Sequence, residues 1–537
     1  MCDKNNNTGI KIDSEEIRYL FFSWDGFFMR KIRLLVINGL AISATAVITG
    51  LCGVWFNLLI TKSAGSAVLG KFQLIMSVCS FGVTFAISGI NFAAMRLCAE
   101  GISKNGGNVH KIMKNCFAYA LFFGIGGGLI LFALSGVLSD RFIKYPDADI
   151  CLKIFAVSLP VVSCLSAISG YLTAVRRAYK ESFIKVSVQV LKLVLAALFL
   201  LERKENPCIM VMAASVISEA IGAVFSGFVY FLDRRRDKKQ QSAPCGKLLP
   251  LALPMAFSSY LRCGLMTVKN LLVPFALVRF GMSEESAASA FGAIHGIALP
   301  VVLFPSTLLF SFASLTVPEL AGAHAKCSDI KSSKNIHYII ERSVQLTLIF
   351  SAFCAGFVFF FSKDIAAMLC QDDSAAFYIR IFSLIIPVMY LDNTVDSMLK
   401  GLNEQVKSME INIIDSCFCL LMVIFLLPRF GIYGYLFTVC AGEILNFALS
   451  FMRLLKISSV SIRIYRSIVV PFVSVIICCI IITLFLSSFC FLIKLPICVL
   501  LYLCFVSILG GFTRDDRIWI KNIFVSKNKL LKAEQNN

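Results

Sequence analysis

Two glutamates stand at the same point of two long apolar runs. Glu219 follows Ser218 in the first run, and Glu443 follows Gly442 in the second, 224 residues later. Because a carboxylate at mid-bilayer depth is costly, such residues usually point into a bundle interior or a polar cavity. The repeated placement predicts a duplicated bundle of membrane helices, a frequent transporter architecture. Each glutamate is a candidate for coupling, by carrying a proton, or for bracing the packed helices.

Two cations share a third apolar run. Arg262 and Lys269 are seven residues apart, nearly two helical turns, so they lie on one face about 10 Å apart along the axis. Arginine can hold a phosphate through a bidentate fork, and lysine adds a mobile charge. This face suits an anionic substrate headgroup. The alternatives are that both residues pair with nearby acids and lock the bundle, or that Lys269 reaches outward to the interface.

The other charged residues within the predicted membrane spans are candidate ion-pair partners. Asp392 and Asp396 are one turn apart on one helical face that Lys400 continues. We expect an Asp396–Lys400 ion pair near the cytoplasmic end and a gating or counter-charge role for Asp392. Lys192 is a plausible partner of Glu219.

Other polar residues allow two interpretations each. Arg96 and Arg176 end helices on the cytoplasmic side, as topological anchors or as a gate that contacts the incoming headgroup. His295 fits a hydrogen-bonded interior residue better than a proton relay. Three asparagines could line a substrate cleft or join helices: Asn57, Asn91 and Asn393.

The composition predicts an all-α polytopic membrane protein. Of the 537 residues, 58% are hydrophobic and 15% are charged, below the roughly one quarter that is typical of soluble domains. Stretches of about 20 apolar residues are long enough to span a bilayer. Fourteen such stretches occur, at about 36–60, 67–95, 115–138, 154–175, 184–201, 208–232, 248–277, 289–316, 343–362, 377–399, 409–428, 432–452, 467–489 and 495–513.

The basic residues predict the orientation. With the N-terminus in the cytoplasm, 36 of the 51 lysines and arginines fall on the cytoplasmic side, 12 fall on the opposite side and three lie within spans. This bias follows the positive-inside rule, so both termini are expected to be cytoplasmic. The net charge of +19 is then mostly topological, and nucleic-acid binding is not expected.

The repeat predicts the domain organisation. Each half contains six spans, and an even number returns the chain to its starting side. The halves therefore run parallel around a central cleft, related by an axis along the membrane normal. The predicted segments are a cytoplasmic N-terminal segment (1–35), the two repeats (36–232 and 248–455), the basic linker between them (233–247), two further helices (456–513) and a basic tail (514–537).

No signature of enzymatic or cofactor chemistry is present in the sequence. The 21 cysteines show no zinc-like or disulfide-like spacing, and no phosphate loop of the GxxxxGK[ST] type, HExxH motif or nucleophile elbow occurs. We expect a non-enzyme without a cofactor or a bound metal.

Two sequence segments resemble those of a known protein family. GLAISATAVITGLCGVWFNLLITKSAGSAVLGKFQLIMSVCSFGVTFAISGINFAAMRLCAEG looks like the first helix pair of polysaccharide-flippase-type transporters. AASAFGAIHGIALPVVLFPSTLLFSFASLTVPELAGAHAK, with Gly296, Pro300, Phe304-Pro305 and Pro318-Glu319, is similar to them as well. These transporters belong to the multidrug/oligosaccharidyl-lipid/polysaccharide exporter (MOP) superfamily. The chain looks most like the branch of stage V sporulation protein B, which is related to lipid II flippases.

The resemblance implies a function in the cell membrane. It implies an alternating-access flippase for a polyprenyl-diphosphate-linked oligosaccharide or peptidoglycan precursor, surrounded by membrane lipids. It also implies a role in spore cortex or cell-wall synthesis, with cell-wall synthesis proteins as partners.

Two departures from the superfamily bear on the substrate. Lipid II flippases carry basic residues in the first helix, whereas 36–60 has none, which argues against lipid II itself. Cation-coupled antiporters generally use a carboxylate in the first or seventh helix, and 248–277 also lacks one. A cation-coupled multidrug or small-molecule antiporter stays an alternative, as does a scaffold that recruits cell-wall synthases.

Overall fold

The computed structural model describes most of the chain as helix. It covers residues 42–103, 109–145, 147–175, 177–202, 206–234, 248–309, 317, 320, 330–369, 373–458, 465–485 and 491–511. These residues are 94% helical and contain no strand, which confirms the predicted all-α class. Outside them lie the predicted segments 1–35 and 514–537, most of the linker 233–247, Arg176, and Pro318-Glu319 of the family phrase.

Seven helices form the first half. They are α1 Ile42–Ala64, α2 Ser66–Ile87, α3 Ile90–Ser103, α4 Val109–Leu138, α5 Ala148–Ala174, α6 Ala178–Glu202 and α7 Pro207–Arg234. The chain turns between α2 and α3 at Ser88 and Gly89, which have φ of 45° and 72°. A Cβ on Gly89 would lie 2.8 Å from the Ala252 carbonyl oxygen, so glycine permits both the turn and the close packing.

Among the described residues, seven more helices belong to the second half. They are α8 Leu248–Phe280, α9 Glu284–Leu303, α10 Ile330–Phe360, α11 Ser362–Leu369, α12 Asp373–Ser383, α13 Ile386–Gly401 and α14 Gln405–Ser458. The 54-residue α14 is broken at Gly431, where φ is 56° and ψ is −133°. This break brings the two arms of α14 alongside each other. Helices α12 and α13 meet at a bend of 55°.

Two further helices pack beside α10. Helix α15 begins with a π-helical turn, Tyr465–Val469, and continues as Val470–Phe485, and α16 spans Phe491–Ile508. Tyr502 donates a hydrogen bond to the Ile349 carbonyl oxygen at 2.7 Å. Gln345 Nε2 donates to the Gly511 carbonyl oxygen at 2.8 Å. These bonds attach the C-terminal hairpin to the second half.

Among the described residues, eleven helices are long and apolar enough to cross a membrane, or twelve if α12 and α13 form one bent span. The predicted stretches 409–428 and 432–452 are the two arms of α14, and the stretch 495–513 corresponds to the short α16. Large apolar side chains project outward, such as Phe122 and Leu201, as a lipid-facing surface requires. The count of fourteen and the six-plus-six repeat stay predictions.

The halves meet through small residues. Ser66 and Ser289 share a hydrogen bond of 2.6 Å between α2 and α9. A Cβ on Gly70 would lie 1.8 Å from the Ala288 carbonyl oxygen, and a Cβ on Gly292 would lie 2.4 Å from that of Ser66. Glycine is therefore required for α2 and α9 to approach this closely.

Candidate functional site

A polar cavity of about 260 Å³ lies inside the second half, between α8, α13 and α14. Its wall contains five residues that the sequence singled out as site candidates: Arg262, Lys269, Asp392, Asp396 and Glu443. Asn393, predicted to line a cleft, also lies there. In a bundle that is otherwise mostly apolar, this convergence makes the cavity the candidate site.

Helix α8 supplies both cations. Thr267 donates to the Ser77 carbonyl oxygen at 3.1 Å, and Asn270 donates to the Ser77 hydroxyl at 3.1 Å, which fixes α8 against α2. The Arg262 and Lys269 side chains project from another face and line the cavity, as their seven-residue spacing predicts. Neither forms an ion pair within 4.0 Å to any described residue. Asp415 and Glu443 of the same cavity nevertheless lie within electrostatic reach of both cations, so bracing through these acids stays an alternative to substrate contact.

Helix α13 supplies two acids in different environments. The predicted ion pair forms, since Lys400 Nζ lies 2.6 Å from Asp396 Oδ2, and the Ser408 hydroxyl also donates to Asp396. Asp392 Oδ2 accepts a hydrogen bond of 2.9 Å from Asn446 Nδ2, whereas its buried Oδ1 has no protein partner. Asp392 is thus the deeper of the two and keeps an unused acceptor.

Helix α14 contributes polar residues that the sequence analysis missed. Asp415, Asn412 and Ser416 on its first arm and Asn446 on its second arm line the cavity. A Cβ on Gly442 would lie 3.1 Å from Asp415 Oδ1 and 2.4 Å from Cys419 Sγ, so a glycine beside Glu443 lets the arms approach. Asp415 could have been recognised from the sequence, because it lies deeper in the apolar stretch 409–428 than Glu410, the other acid of that stretch.

The other repeated glutamate lies elsewhere. Glu219 is partly buried inside the first half, within electrostatic reach of Lys192. Lys192 Nζ also lies 4.5 Å from the centroid of the Phe56 ring, and Glu219 Oε2 has no hydrogen-bond partner in the protein. The two residues form no ion pair within 4.0 Å, so the Lys192–Glu219 pairing stays a prediction, and Glu219 does not line the cavity that contains Glu443.

The remaining site candidates do not line this cavity. Asn57 Nδ2 donates to the Gly296 carbonyl oxygen at 2.8 Å and so joins α1 to α9. Asn91 Nδ2 donates to Ser169 at 3.2 Å, and Arg96 pairs with Glu100 one turn away at 3.1 Å. His295 bonds with the Tyr435 hydroxyl in the interior, as expected.

A second cavity, of about 360 Å³, lies between the halves at their opposite end. Lys71 and Lys144 line it from the first half, and Glu284 and Glu285 line it from α9. Lys144 Nζ lies 3.0 Å from Glu284 Oε1.

Two ion pairs stand at corresponding places of the two halves with reversed charges. Arg177, before α6, pairs with Asp233 near the end of α7 at 2.7 Å. Glu404, before α14, pairs with Arg453 near the end of α14 at 2.8 Å. The hydrogen bond to Asp233 raises the pKa of the Arg177 guanidinium, so that group stays charged. The duplication itself stays a prediction.

Two curated proteins are similar in sequence. Stage V sporulation protein B of Bacillus subtilis (strain 168) is 21% identical over 463 residues, which cover 82% of this chain and 87% of that protein. Sporulation protein YkvU of the same organism is 21% identical over 233 residues, which cover 42% of this chain and 51% of that protein. No family model matches the chain.

Solved transporters share the fold. Lipid II flippase MurJ in an inward closed conformation has a TM-score of 0.67 at 14% identity, covering 87% of this chain and 98% of that one. An inward-facing multidrug resistance MATE family transporter of the MOP superfamily has a TM-score of 0.61 at 14% identity, covering 79% and 98%. The resemblance predicted from the sequence phrases is confirmed, and the chain is a multi-pass membrane protein with a MATE- and MurJ-like fold.

Proposed function

We propose that this protein is an alternating-access flippase. It moves a polyprenyl-diphosphate-linked oligosaccharide or peptidoglycan precursor across the cytoplasmic membrane, in cell-wall or spore cortex synthesis. The names of the relatives support this role, since one is a sporulation protein and one shared fold is that of a lipid II flippase. The distribution of basic residues supports a cytoplasmic location for both termini.

The observation that carries the proposal is the pair of cavity cations without ion-pair partners. A headgroup diphosphate must pass about 30 Å of hydrocarbon, so its carrier has to replace the water around the phosphates. The Arg262 guanidinium can form two parallel hydrogen bonds, and the Lys269 ammonium supplies a compact positive charge on the same wall of the cavity. These are the donors that a diphosphate needs during passage.

The other proposed residues act either in the cavity wall or at a distance from it. Asp392, Asp396 and Glu443 form its opposite side and supply gating or coupling. Arg96 and Arg176 are proposed to contact the headgroup at the cytoplasmic entrance, and Asn57 and Asn91 to contact substrate nearer the interface of the halves. Glu219 is proposed to couple or brace the first half.

A second candidate is a cation-coupled antiporter, and one observation favours it. Four carboxylates line the cavity, those of Asp392, Asp396, Asp415 and Glu443. Such acids could bind a cationic small molecule or a driving ion.

The deciding experiment uses purified full-length protein in liposomes. Transbilayer movement of a fluorescent polyprenyl-diphosphate sugar is followed by its protection from a membrane-impermeant quencher. Arg262→Gln/Lys269→Gln should abolish movement, because the phosphates lose both charged donors. Lys407→Gln is the matched control, since Lys407 is exposed in the same half and pairs with Glu410 at 2.7 Å outside the cavity.

Three results separate the candidates. Movement by wild type and Lys407→Gln that the double variant lacks supports the flippase. Cationic dye efflux that needs an ion gradient and Glu443, without lipid movement, would establish the antiporter. Folded wild type that moves neither substrate contradicts both and favours the scaffold.

A further inference from the structure

The cavity has two walls of opposite charge. Both cations, Arg262 and Lys269, come from α8, whereas all four acids come from α13 and α14. Lys400 neutralises Asp396 from outside the cavity lining. Three acids, Asp392, Asp415 and Glu443, are then left facing two cations. From this polarity we infer that the headgroup which the cavity recognises carries an ammonium group as well as a phosphate.

The acidic wall has acceptors without donors. Asp392 Oδ1 and Asn446 Oδ1 are buried and have no hydrogen-bond partner, and Asn446 is only 9% exposed. Unused acceptors of this kind cost stability unless a donor reaches them. An ammonium group has three donors and no acceptor, so it matches this wall.

The cationic wall has hydrogen-bond donors without acceptors. Arg262 and Lys269 have donors but no ion-pair partner among the described residues, which suits phosphate oxygens. A ligand that brought only phosphate would satisfy the donors of Arg262 and Lys269 but would leave the acceptors of the acidic wall without a donor. A ligand with both charges satisfies both walls and is oriented by them.

The arrangement of the acids indicates that the positive charge opposite them belongs to the ligand and not to a metal ion. No three histidine, cysteine, aspartate or glutamate side chains in the described ranges are grouped so as to hold a metal ion. Acids spread along two helices suit an extended ligand with several donors. The inference rests on the proposed function, because it specifies the headgroup of the same substrate.

Three sugar phosphates that differ at one position test the inference. Glucosamine 1-phosphate carries an ammonium, N-acetylglucosamine 1-phosphate replaces it with a neutral amide, and glucose 1-phosphate replaces it with a hydroxyl. Binding is measured by isothermal titration calorimetry on the full-length protein in lipid nanodiscs. We expect glucosamine 1-phosphate to bind about tenfold more tightly than either of the other two, as a charge-assisted hydrogen bond allows.

Variants of each wall show which residues produce the preference for the ammonium compound. Asp392→Asn/Glu443→Gln should remove the preference while all three compounds still bind, and Arg262→Gln/Lys269→Gln should weaken all three. Glu410→Gln, a charge loss outside the cavity, should behave as wild type. Size-exclusion profiles and thermal unfolding report folding, and Asp392→Asn alone replaces the double variant if that one misfolds.

Several results would overturn the inference. Equal affinities for the three compounds, or no binding of any of them, would do so. So would a preference that survives in Asp392→Asn/Glu443→Gln. Glucose 1-phosphate that binds as tightly as glucosamine 1-phosphate only in sodium buffer, not in N-methylglucamine buffer, would show that an inorganic cation supplies the charge. Lipid movement in liposomes is scored separately, so the flippase proposal can survive the loss of the ammonium preference.

Discussion

Lys144 Nζ lies 3.0 Å from Glu284 Oε1, and this ion pair joins the end of α4 in the first half to the start of α9 in the second. Among the ion pairs of the described residues, it connects the two halves directly. The side chains are 48% and 62% exposed, so the pair is weak and can open. These are the properties expected of a contact that forms and breaks in the alternating-access motion that we propose.

Reversing one charge of this pair should bias the halves apart. Lys144→Glu places two carboxylates together, and we expect the lipid movement rate to change about two- to fivefold, the scale of an exposed ion pair. Lys144→Glu/Glu284→Lys should restore the wild-type rate. A rate in the double variant that stays at the Lys144→Glu value would show that the contact has no such role.

A covalent link between α2 and α9 should stop transport reversibly. The Ser66 and Ser289 hydroxyl oxygens are 2.6 Å apart, so cysteines at these positions can form a disulfide. Oxidised Ser66→Cys/Ser289→Cys should lose lipid movement, and a reductant should return it. Each single variant, treated with the same oxidant, controls for the native cysteines. Full activity of the oxidised, crosslinked protein would mean that α2 and α9 stay together throughout transport.

The glycine contact between the same helices should be sensitive to one methyl group. Gly70→Ala places a Cβ 1.8 Å from the Ala288 carbonyl oxygen, so the backbones must separate at a cost of about 1–3 kcal/mol. We expect a lower apparent Tm in detergent. Gly126→Ala is the control, because nothing lies within 4 Å of its Cβ and the substitution should be neutral or stabilising. Equal Tm values for both variants would contradict the close packing.

Lys192 and Glu219 in the first half should stabilise the packing of its helices. Lys192→Met removes the cation nearest the Glu219 carboxylate and should reduce the free energy of unfolding by about 1–3 kcal/mol. Lys192→Met/Glu219→Leu removes both charges and should regain stability and lipid movement. Thermal unfolding and the liposome assay measure the two effects. A stable double variant that no longer moves lipid would instead assign Glu219 a coupling role.

Local periodicity explains which parts of the site could be predicted. Arg262 and Lys269 share a face because seven residues are nearly two turns, and Asp396 reaches Lys400 because they are one turn apart. Both relationships lie within a single helix. The same reasoning could not find Asn446 as the partner of Asp392, because 54 residues separate them and only packing brings α14 to α13.

The sequence by itself determined the membrane class, the positions of most helices and the residues whose burial is costly, because apolar length and helical period are properties of short segments. The tertiary structure decided which of these residues meet. Glu219 and Glu443 occupy matching points of two similar runs, yet one lies near a buried lysine and the other lines an open cavity. That difference arises from the break at Gly431 and from the helices packed around each glutamate. Contacts between distant helices depend on shape and packing, which no periodic pattern in a single segment encodes.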